Sequence, residues 1–314
     1  MPPKLIIICG PTATGKTRLG VALAKRFHGE VVSADSMQIY RDMQIGTARP
    51  TLEEMEGVPH HMMGVVAPGE NYSVARYVEE ATACVEDILR RGKQPIVVGG
   101  TGLYIDALRQ GRSFSAFRPE SGHRARLQER AARGELPALW EELQRIDPEG
   151  AAKLHPNDEK RILRGLEVWY ETGKTLSQHN RETQSLPPRY EGLTIALTYQ
   201  DRQDLYARID QRVDLMMERG LVEEVRALLA AGIPRDCTAM QAIGYKELVE
   251  AVETGGDLKA AAEEIKLRSR QYAKRQLTWF RRDKNAHWIF LEKTPDFSAV
   301  VQDSTEFLKE KGLP

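Results

Sequence analysis

A glycine-rich loop near the start of the chain has the residue types that bind phosphate groups. Residues 10–17 read Gly-Pro-Thr-Ala-Thr-Gly-Lys-Thr and match the pattern G-x-x-x-x-G-K-S/T at every fixed position. In such a loop the backbone N–H groups converge on an anion at a helix N-terminus, where the helix dipole favours negative charge. The loop predicts a di- or triphosphate ligand, although an ordinary glycine-containing turn is the alternative. The predicted phosphate-binding residues are Gly10, Pro11, Thr12, Ala13, Thr14, Gly15, Lys16 and Thr17.

Two of these side chains add chemistry to the loop. Lys16 supplies a positive charge next to the phosphate groups, and the Thr17 hydroxyl can bind a magnesium ion. Mg²⁺ is therefore the cofactor that we expect, with Thr17 as its protein ligand.

A carboxylate, Asp35, ends the second apolar run of the chain. Ligands of open parallel sheets bind outside the carboxyl ends of the strands, so a strand ending here would bring Asp35 close to the phosphate loop. In that place a carboxylate can act as a general base or help to order the metal ligands. The alternative is an N-cap or Asx-turn aspartate with no role in chemistry.

A third segment, residues 99–104, reads Gly-Gly-Thr-Gly-Leu-Tyr and also follows an apolar run. P-loop hydrolases commonly place a metal-binding aspartate at this point, and here glycines and Thr101 take its place. The glycines allow a ligand to approach the backbone closely, or they simply form a tight turn, and Thr101 offers a hydroxyl. The missing carboxylate argues against hydrolysis of a nucleoside triphosphate.

Basic residues form two clusters that a nucleic acid could use. Aromatic residues are interleaved with the first cluster, as a phosphate backbone and an unstacked base would require, although a solvated helix face is the alternative. The first cluster contains Lys266, Arg268, Arg270, Lys274, Arg275, Arg281, Arg282 and Lys284. The second contains Arg118, His123, Arg124, Arg126, Lys160, Arg161 and Arg164.

The adjacent pair His60 and His61 could suggest a metal site. It has no third partner for a metal, so we expect the two histidines to pack or cap.

The elements that must position these residues follow an α/β pattern. Short apolar runs alternate with helical periodicity, which predicts a parallel sheet flanked by helices, as in P-loop NTPases. Strands are expected at 5–9, 30–34, 95–99, 193–199 and 287–291. Helices are expected at about 17–27, 73–91, 201–219, 221–231 and 260–280.

The stretch from about residue 112 to residue 190 contains helix-like blocks and no strand-like run. It is too long for an ordinary connection, so it predicts an inserted all-helical subdomain. We expect residues 1–112 and 190–314, with the C-terminal helices, to form the P-loop catalytic core. Residues 113–189 would form the insertion, and the polar, proline-bearing segment 183–190 is a hinge candidate.

The composition sets few further limits. With 45 basic and 45 acidic residues the chain has no net charge, which neither requires nor excludes a nucleic-acid partner. Its three cysteines are widely spaced and form no C-x-x-C pair, so free thiols are expected and a zinc finger is not. No secretory or transmembrane segment is evident, so we expect a cytoplasmic protein without a membrane partner.

Taken together, these segments resemble the tRNA dimethylallyltransferase (tRNA isopentenyltransferase) family of bacterial type. The phosphate loop alone is shared by very many proteins, whereas its combination with segments 35–40 and 274–281 is specific. The matching stretches follow the family's order and span most of the chain: 10–17, 35–40 (Asp-Ser-Met-Gln-Ile-Tyr), 45–48 (Ile-Gly-Thr-Ala), 58–61 (Val-Pro-His-His), 99–104, 242–245 (Ala-Ile-Gly-Tyr) and 274–281 (Lys-Arg-Gln-Leu-Thr-Trp-Phe-Arg).

The resemblance implies transfer of a dimethylallyl group from dimethylallyl diphosphate to N6 of the adenosine just 3′ of the tRNA anticodon, with release of pyrophosphate. Asp35 would take the proton of the amine, and Lys16 would stabilise the leaving pyrophosphate. Arg208 is expected to be a second cation on the diphosphate, with Arg202 as the alternative. Thr101 would hydrogen-bond near the amine or the bridging oxygen.

The resemblance also implies the contacts with the tRNA anticodon stem-loop. The target adenine must leave the anticodon stack, and residues 35–38 would line its pocket, with Gln38 forming paired hydrogen bonds to an adenine edge. The inserted subdomain would grip the stem-loop. The expected tRNA-binding residues are Asp35, Ser36, Met37, Gln38, Thr101, His123, Glu159, Lys160, Arg161, Ile162, Leu163, Gln241, Ala242, Ile243, Gly244, Tyr245, Lys246, Lys274, Arg275, Gln276, Leu277, Thr278, Trp279, Phe280 and Arg281.

Two other functions compete with this one. A P-loop kinase that uses ATP on a small molecule or nucleotide would explain the loop but not the basic, aromatic helix. A non-enzymatic nucleotide switch would need a base-reading motif such as Asn-Lys-x-Asp, which is not present. Both basic clusters lie on one chain, so we expect the protein to act as a monomer.

Overall fold

A six-stranded parallel β-sheet forms the centre of the protein. A computed structural model describes residues 2–111, 122–185 and 187–314 of the chain. The strands are β1 (Lys4–Cys9), β2 (Gly29–Ser33), β3 (His60–His61), β4 (Gln94–Val98), β5 (Glu191–Tyr199) and β6 (His287–Leu291). Their order is β3-β2-β4-β1-β5-β6, and every neighbouring pair is parallel. The prediction of an α/β fold with a parallel sheet is confirmed.

Helices connect successive strands, and one further helix follows the last strand. Those within the sheet-containing unit are α1 (Lys16–Arg26), α2 (Leu52–Met55), α3 (Val74–Arg90), α4 (Gly102–Gln110), α10 (Arg202–Glu218), α11 (Leu221–Ala230), α12 (Tyr245–Thr254), α13 (Leu258–Phe280) and α14 (Phe297–Glu310). Those between β4 and β5 that follow α4 are α5 (His123–Ala132), α6 (Leu136–Ile146), α7 (Pro148–Ala151), α8 (Glu159–Thr172) and α9 (Leu176–Ser185). Within the described ranges, none of the helices has both the length and the apolar character that a bilayer crossing requires.

The central strand, β1, is buried on both faces because helices cover the sheet on each side. Residues 5–8 are at most 1% exposed, and the side chains of Ile6 and Ile8 share one apolar core with residues of β4, β5 and α1. Burial on both faces explains why this strand is apolar at every position rather than at alternate ones. The same continuous pattern made its position predictable from the sequence. The three cysteines are free thiols.

The short edge strand β3 was not predicted, because two residues carry no periodic signal. Val31 and Val32 of β2 pair with it in register. His61 Nε2 lies 2.8 Å from a carboxylate oxygen of Glu30, and His60 Nδ1 lies 2.8 Å from a backbone carbonyl oxygen. Both histidines are therefore engaged in packing contacts. No group of three or more His, Cys, Asp or Glu side chains suitable for a metal occurs in the part of the chain that the structure describes.

The chain divides into two compact units. The first comprises Met1–Arg109 and Arg189–Pro314 and contains the sheet, and the second comprises Gln110–Pro188. The second unit has its own apolar core, formed by Leu127, Leu139, Leu143, Ala151, Ile162, Leu163 and Leu166. Arg118, which the sequence analysis places in a basic cluster, lies outside the described residues. A tRNA-binding role for residues 113–189 stays a prediction.

Candidate active site

Three loops lie together at the carboxyl ends of β2, β4 and β1, which are neighbours in that order in the sheet. The phosphate loop follows β1, Asp35 follows β2, and the Gly-Gly-Thr turn follows β4. The Gly99 N–H donates to the Ile8 carbonyl at 3.1 Å, and the Thr101 N–H donates to the Ala34 carbonyl at 3.1 Å. The strand order therefore brings together three segments that are far apart in sequence.

The phosphate loop has a defined shape of its own. Gly10 has φ = 137°, a conformation that favours glycine, and a Cβ atom there would lie 2.2 Å from the Leu197 carbonyl oxygen. The Thr14 hydroxyl and the Lys16 ammonium group both donate to the Pro11 carbonyl, at 2.9 Å and 2.6 Å. Helix α1 begins at Lys16, so the loop ends at a helix N-terminus as the motif requires.

Lys16 has an unusual electrostatic environment. Loss of water around its ammonium group, followed by the nearby positive charge of Arg212, lowers the pKa of Lys16 to about 8. The Asp35 carboxylate acts in the opposite direction. Lys16 therefore still carries a charge at neutral pH, and a bound anion would favour that charge.

Asp35 uses one carboxylate oxygen for structure and leaves the other free. Its Oδ1 atom accepts hydrogen bonds from the backbone N–H groups of Met37, at 2.9 Å, and Gln38, at 3.4 Å. This is the Asx-turn that the sequence analysis gave as the alternative role. Its Oδ2 atom accepts no hydrogen bond from any described residue, so it can still accept a proton from a ligand.

Three tyrosines lie close enough to Asp35 to be influenced by its charge. Tyr77 and Tyr104 stack with ring centroids 4.1 Å apart, and the Tyr77 hydroxyl donates to the Ser33 carbonyl at 3.1 Å. Burial, assisted by the charge of Asp35, raises the pKa of both phenols. The same causes raise the pKa of Tyr272 to about 12. All three stay neutral at physiological pH, so none of them places a second negative charge beside Asp35.

The Thr101 hydroxyl joins the β4 turn to the Asp35 loop. It accepts a hydrogen bond from the Ser36 N–H at 3.0 Å and donates to the Ser36 hydroxyl at 3.3 Å. It also lies near the Tyr272 phenol on α13, whose pKa it lowers against the larger effect of burial. Thr101 is thus held at the same edge as the phosphate loop and Asp35.

Gln38 is already hydrogen-bonded on both sides of its amide. Its oxygen accepts from the Ser33 hydroxyl at 3.2 Å, and its nitrogen donates to the carbonyls of Thr47, at 3.2 Å, and Ala48, at 3.3 Å. The paired hydrogen bonds that we predicted between Gln38 and adenine would require these bonds to exchange. In the structure Gln38 connects β2 to the loop at 47–48.

A carboxylate that the sequence analysis missed holds the Ile-Gly-Thr-Ala segment. Glu224 on α11 accepts from three successive backbone N–H groups, those of residues 44–46, at 2.8 to 3.2 Å. It also accepts from the Tyr245 hydroxyl at 2.6 Å. Nothing in the local sequence distinguishes Glu224 from its neighbour Glu223, because its partners are about 180 residues away.

Arg208 is exposed on α10 and donates to the Gln211 side chain at 2.9 Å, and Arg202 is exposed at the start of the same helix. Arg212, one turn after Arg208, is the arginine whose charge acts on Lys16 and that feels the charge of Asp35. Burial lowers the pKa of Arg212, and its guanidinium has no hydrogen bond or ion pair with any described residue. A sequence signal existed, since Arg212 follows the buried Ile209 by three residues and therefore lies near the inward face.

The basic residues of α13 fall into two groups. Those at 266–270 are ion-paired: Lys266 with Asp214 at 2.7 Å, Arg268 with Glu264 at 2.6 Å and Arg270 with Asp210 at 2.6 Å. Further along the helix, Lys274 is exposed and has no ion-pair partner among the described residues. Arg275 lies over the Tyr272 ring, 5.5 Å from its centroid. The unpaired positive charge of the predicted basic cluster therefore begins at Lys274.

Several predicted tRNA contacts have their side chains inside the protein. Tyr245 is 0% exposed, Ile162 0%, Phe280 6%, Gln276 6%, Ala242 7% and Leu163 8%. Leu277 packs against the core, Gly244 caps α12, and the Trp279 indole N–H donates to Asp106 at 2.9 Å. In this structure such residues support the surface, and tRNA would meet their exposed neighbours.

The exposed members of the predicted tRNA set lie on three helices and one loop. Gln241 lies in the loop before α12, Lys246 lies in the first turn of α12, and Thr278 and Arg281 lie near the end of α13. In the second unit, Glu159, Lys160 and Arg161 are exposed in the first turn of α8. His123 stacks on the Tyr170 ring, with centroids 5.4 Å apart. Ser36, Met37 and Ile243 are partly buried.

At the end of the phosphate loop, the Thr17 hydroxyl offers Mg²⁺ a side-chain oxygen. The Thr17 hydroxyl lies in the first turn of α1, directly after the loop, and has no hydrogen-bond partner among the described residues. Mg²⁺ keeps several waters and is commonly bound by few protein oxygens together with substrate phosphates. One free hydroxyl beside a phosphate loop suits an ion that arrives with a diphosphate, not an ion held by protein alone.

The sheet order and the phosphate loop at the end of the central strand define a P-loop α/β protein. Comparison with known proteins narrows this class. The family model described as "IPP transferase" matches residues 38–283, and the model described as "Isopentenyl transferase" matches residues 3–67.

Individual relatives agree with the family models. A tRNA dimethylallyltransferase from Caldanaerobacter subterraneus subsp. tengcongensis is 46% identical over 98% of both chains. One from Geobacillus thermodenitrificans is 45% identical over 99% of this chain and 98% of its own. The full-length tRNA isopentenylpyrophosphate transferase from Bacillus halodurans has a similar structure, with a TM-score of 0.74, 42% identity and coverage of 98% and 96%. A eukaryotic dimethylallyltransferase acting on tRNA gives a TM-score of 0.82, 34% identity and coverage of 98% and 80%. The chain belongs to the tRNA dimethylallyltransferase family.

Proposed function

We propose that this protein transfers a dimethylallyl group from dimethylallyl diphosphate to N6 of the adenosine immediately 3′ of the anticodon in tRNA and releases pyrophosphate. The observation that carries the proposal is the placement of a phosphate loop and Asp35 at the carboxyl ends of β1 and β2, on either side of β4, with one carboxylate oxygen of Asp35 unused. A phosphate loop binds the leaving group of the donor, and a free carboxylate can take a proton from the acceptor amine.

The reaction needs one proton acceptor and one anion site. The N6 nitrogen attacks the C1 carbon of the dimethylallyl group, the C1–O bond breaks, and the electron pair of that bond leaves with pyrophosphate. Asp35 Oδ2 takes the proton from N6 as the C–N bond forms, which contributes on the order of 10²–10⁴-fold to the rate. The amine is a weak nucleophile, because its lone pair is delocalised into the adenine ring, and so it benefits from such a base.

Charge that develops on the departing pyrophosphate is met by groups that are already in place. Lys16 and the backbone N–H groups of the loop, apart from that of Thr12, would face the diphosphate, and Arg212 extends the positive region that surrounds it. Thr17 would hold Mg²⁺ at the end of the loop, and a bound Mg²⁺ would neutralise part of the pyrophosphate charge. Thr101 would hydrogen-bond the bridging oxygen or the amine. We assign Arg212, rather than the exposed Arg208, to the diphosphate.

The tRNA is held by the exposed cations of α13. Lys274, Arg275 and Arg281 lie beyond the part of the helix that is neutralised by acids, so they stay available for phosphate groups. The exposed residues 159–161 of the inserted unit extend this binding as a separate contact. Residues 35–38 line the flipped adenine, whose extrusion from the stack costs a few kcal/mol. We also propose that the protein acts as a cytoplasmic monomer, because the tRNA substrate and one chain with both sites require nothing more.

A double-label experiment tests the function. Purified protein is incubated with unmodified tRNA and Mg²⁺, together with either labelled dimethylallyl diphosphate or labelled ATP. Label should pass from the prenyl donor to tRNA, and it should not pass when the target adenosine is replaced by guanosine. Transfer of label from ATP alone would favour the kinase alternative, which no observation supports.

The base is tested separately. Asp35→Asn keeps the shape of the side chain but removes the proton acceptor, so single-turnover transfer should fall about 10²–10⁴-fold while tRNA affinity changes little. Asp42→Asn, at an exposed position after β2, is the matched control and should transfer at the wild-type rate. Wild-type transfer by Asp35→Asn would refute the general-base role.

A further inference from the structure

Gln276 lies within the segment that we assigned to tRNA from its sequence, yet its side chain points into the protein. It is 6% exposed and belongs to α13. Its amide oxygen accepts a hydrogen bond from the Thr12 backbone N–H at 3.1 Å, and its amide nitrogen donates to the Gly100 carbonyl at 2.9 Å. One side chain therefore connects the phosphate loop to the turn that carries Thr101.

We propose that Gln276 is a positioning residue for the transfer reaction, which fixes the spacing between the diphosphate loop and Thr101 and does not itself bind tRNA. The inference rests on the proposed function and adds to it. In that function the donor carbon must sit between the loop, which holds its diphosphate, and the Asp35–Thr101 side, which holds the amine.

The side chain that makes this link has few substitutes. Only an amide offers a donor and an acceptor side by side at this length, and both partners are backbone groups that cannot move away alone. Gly100 is part of the fit, because a Cβ atom there would lie 2.2 Å from the Gln276 nitrogen. Removing the amide would leave two polar backbone groups without these partners.

Each loop is otherwise held by its own contacts. The phosphate loop keeps its shape through the bonds of Thr14 and Lys16 to the Pro11 carbonyl. Thr101 is held by Ser36. The last backbone hydrogen bond between the two strand ends runs from the Gly99 N–H to the Ile8 carbonyl, and Gln276 continues the connection beyond it. Loss of the amide should therefore leave both binding sites formed but free to shift relative to each other.

A shift of this kind has a characteristic kinetic effect. A misplacement of about 1 Å at the reacting atoms can cost on the order of 10²-fold in rate even when both substrates still bind. A residue that contacts tRNA would instead change tRNA affinity and its salt dependence. A residue needed only for folding would lower thermal stability and both affinities together.

Two variants break the link from opposite sides. Gln276→Met keeps the length and the unbranched shape of the side chain but removes both hydrogen bonds. Gly100→Ala leaves the sequence of α13 unchanged, and its added methyl group displaces the Gln276 amide from the Gly100 carbonyl. Gln271→Met is the matched control, because Gln271 is exposed on the same helix and its side chain has one hydrogen bond within the described part of the chain, from Arg268 at 3.4 Å.

The measurements are the single-turnover rate at saturating substrates, the dissociation constants of pyrophosphate and of tRNA, and the thermal unfolding midpoint. Both test variants should lose about 10- to 100-fold in rate, with pyrophosphate affinity within about threefold and tRNA affinity within about twofold of wild type. Gln271→Met should behave as wild type.

The inference is overturned if either test variant keeps the wild-type rate, or if tRNA affinity and its salt slope fall while the rate at saturation is kept. Loss of both affinities together with the unfolding midpoint in both variants would also overturn it, because the residue would then be structural. Failure of the wild-type protein to transfer prenyl groups would reject the proposed function instead, so the two failures are distinguishable.

Discussion

Replacing Arg212 should separate ligand binding from stability. Arg212 feels the charge of Asp35, its own charge acts on Lys16, and it has no ion pair with a described residue, so its guanidinium is available for an anion. A charge-assisted hydrogen bond contributes about 1.5–3 kcal/mol, which corresponds to roughly 10- to 150-fold in affinity at 1.4 kcal/mol per tenfold. Arg212→Met should therefore weaken pyrophosphate binding by that factor.

The same substitution should not destabilise the ligand-free protein. Desolvation is the largest effect on Arg212, and it disfavours the cation by more than the charges of Asp35 and Glu54 favour it, so a side chain of similar length without charge removes an unfavourable contribution. The unfolding midpoint of Arg212→Met without ligand should equal or exceed that of wild type. A stabilised protein that binds its ligand less well is a signature of a binding residue, not of a folding residue.

The control is Arg208→Met, which lies one turn earlier on the same helix and is exposed to solvent. Solvent screens such a charge, so pyrophosphate affinity should change less than about twofold. Isothermal titration with pyrophosphate and Mg²⁺ measures both variants. A larger loss for Arg208→Met than for Arg212→Met would refute the assignment and restore Arg208 as the second cation.

Three further predictions concern other parts of the molecule. Lys16 has a pKa lowered to about 8, below its unfolded value of 10.5, so ligand-free stability should rise with pH between about 8 and 10.5, and pyrophosphate affinity should fall over that window. Lys16→Arg, which does not titrate there, should lack the fall, and an identical fall in Lys16→Arg would contradict the assignment. Lys274→Glu should weaken tRNA binding and lower the slope of log affinity against log salt by about 0.7–0.9 per lost phosphate contact. Arg268→Glu, at an ion-paired position, should change this slope less. Equal slopes in both variants would favour a merely solvated helix face. Glu224→Gln should cost about 1–3 kcal/mol in urea unfolding, because both carboxylate oxygens accept from backbone N–H groups and the amide replaces one of them with an NH₂ group that cannot accept. The exposed Glu223→Gln should stay within about 0.5 kcal/mol of wild type. A Glu224→Gln protein as stable as wild type would show that the carboxylate does not hold the loop.

Local patterns in the sequence were sufficient for the phosphate loop, for the longer strands and for helices α1, α3, α10, α11 and α13, but not for β3, α2, α4, α12 or α14. Apolar runs marked five of the six strands, because β1, β2, β4, β5 and β6 are long enough to show continuous burial. The two-residue β3 was missed for the opposite reason. The phosphate loop was predictable because its conformation depends on residues that are adjacent in sequence.

Side-chain direction was much less predictable than position. The segment 274–281 was recognised as a unit, but helical periodicity did not show that Gln276 faces the sheet while Lys274 faces solvent. Arg208 and Arg212 differ in the same way, since their roles depend on which face of α10 meets the phosphate loop. Glu224 could not be found at all, because its partners lie in a distant loop. Such contacts are decided by tertiary packing.

The central claim is that the phosphate loop holds the electrophile and that tRNA supplies the nucleophile. It is tested most directly by digesting tRNA to nucleosides after incubation with the protein, Mg²⁺ and dimethylallyl diphosphate, followed by mass spectrometry. We predict that the adenosine immediately 3′ of the anticodon gains one dimethylallyl group in place of an N6 hydrogen, with one pyrophosphate released per group. Unmodified tRNA, or a prenyl group on any other nucleoside, would contradict the account.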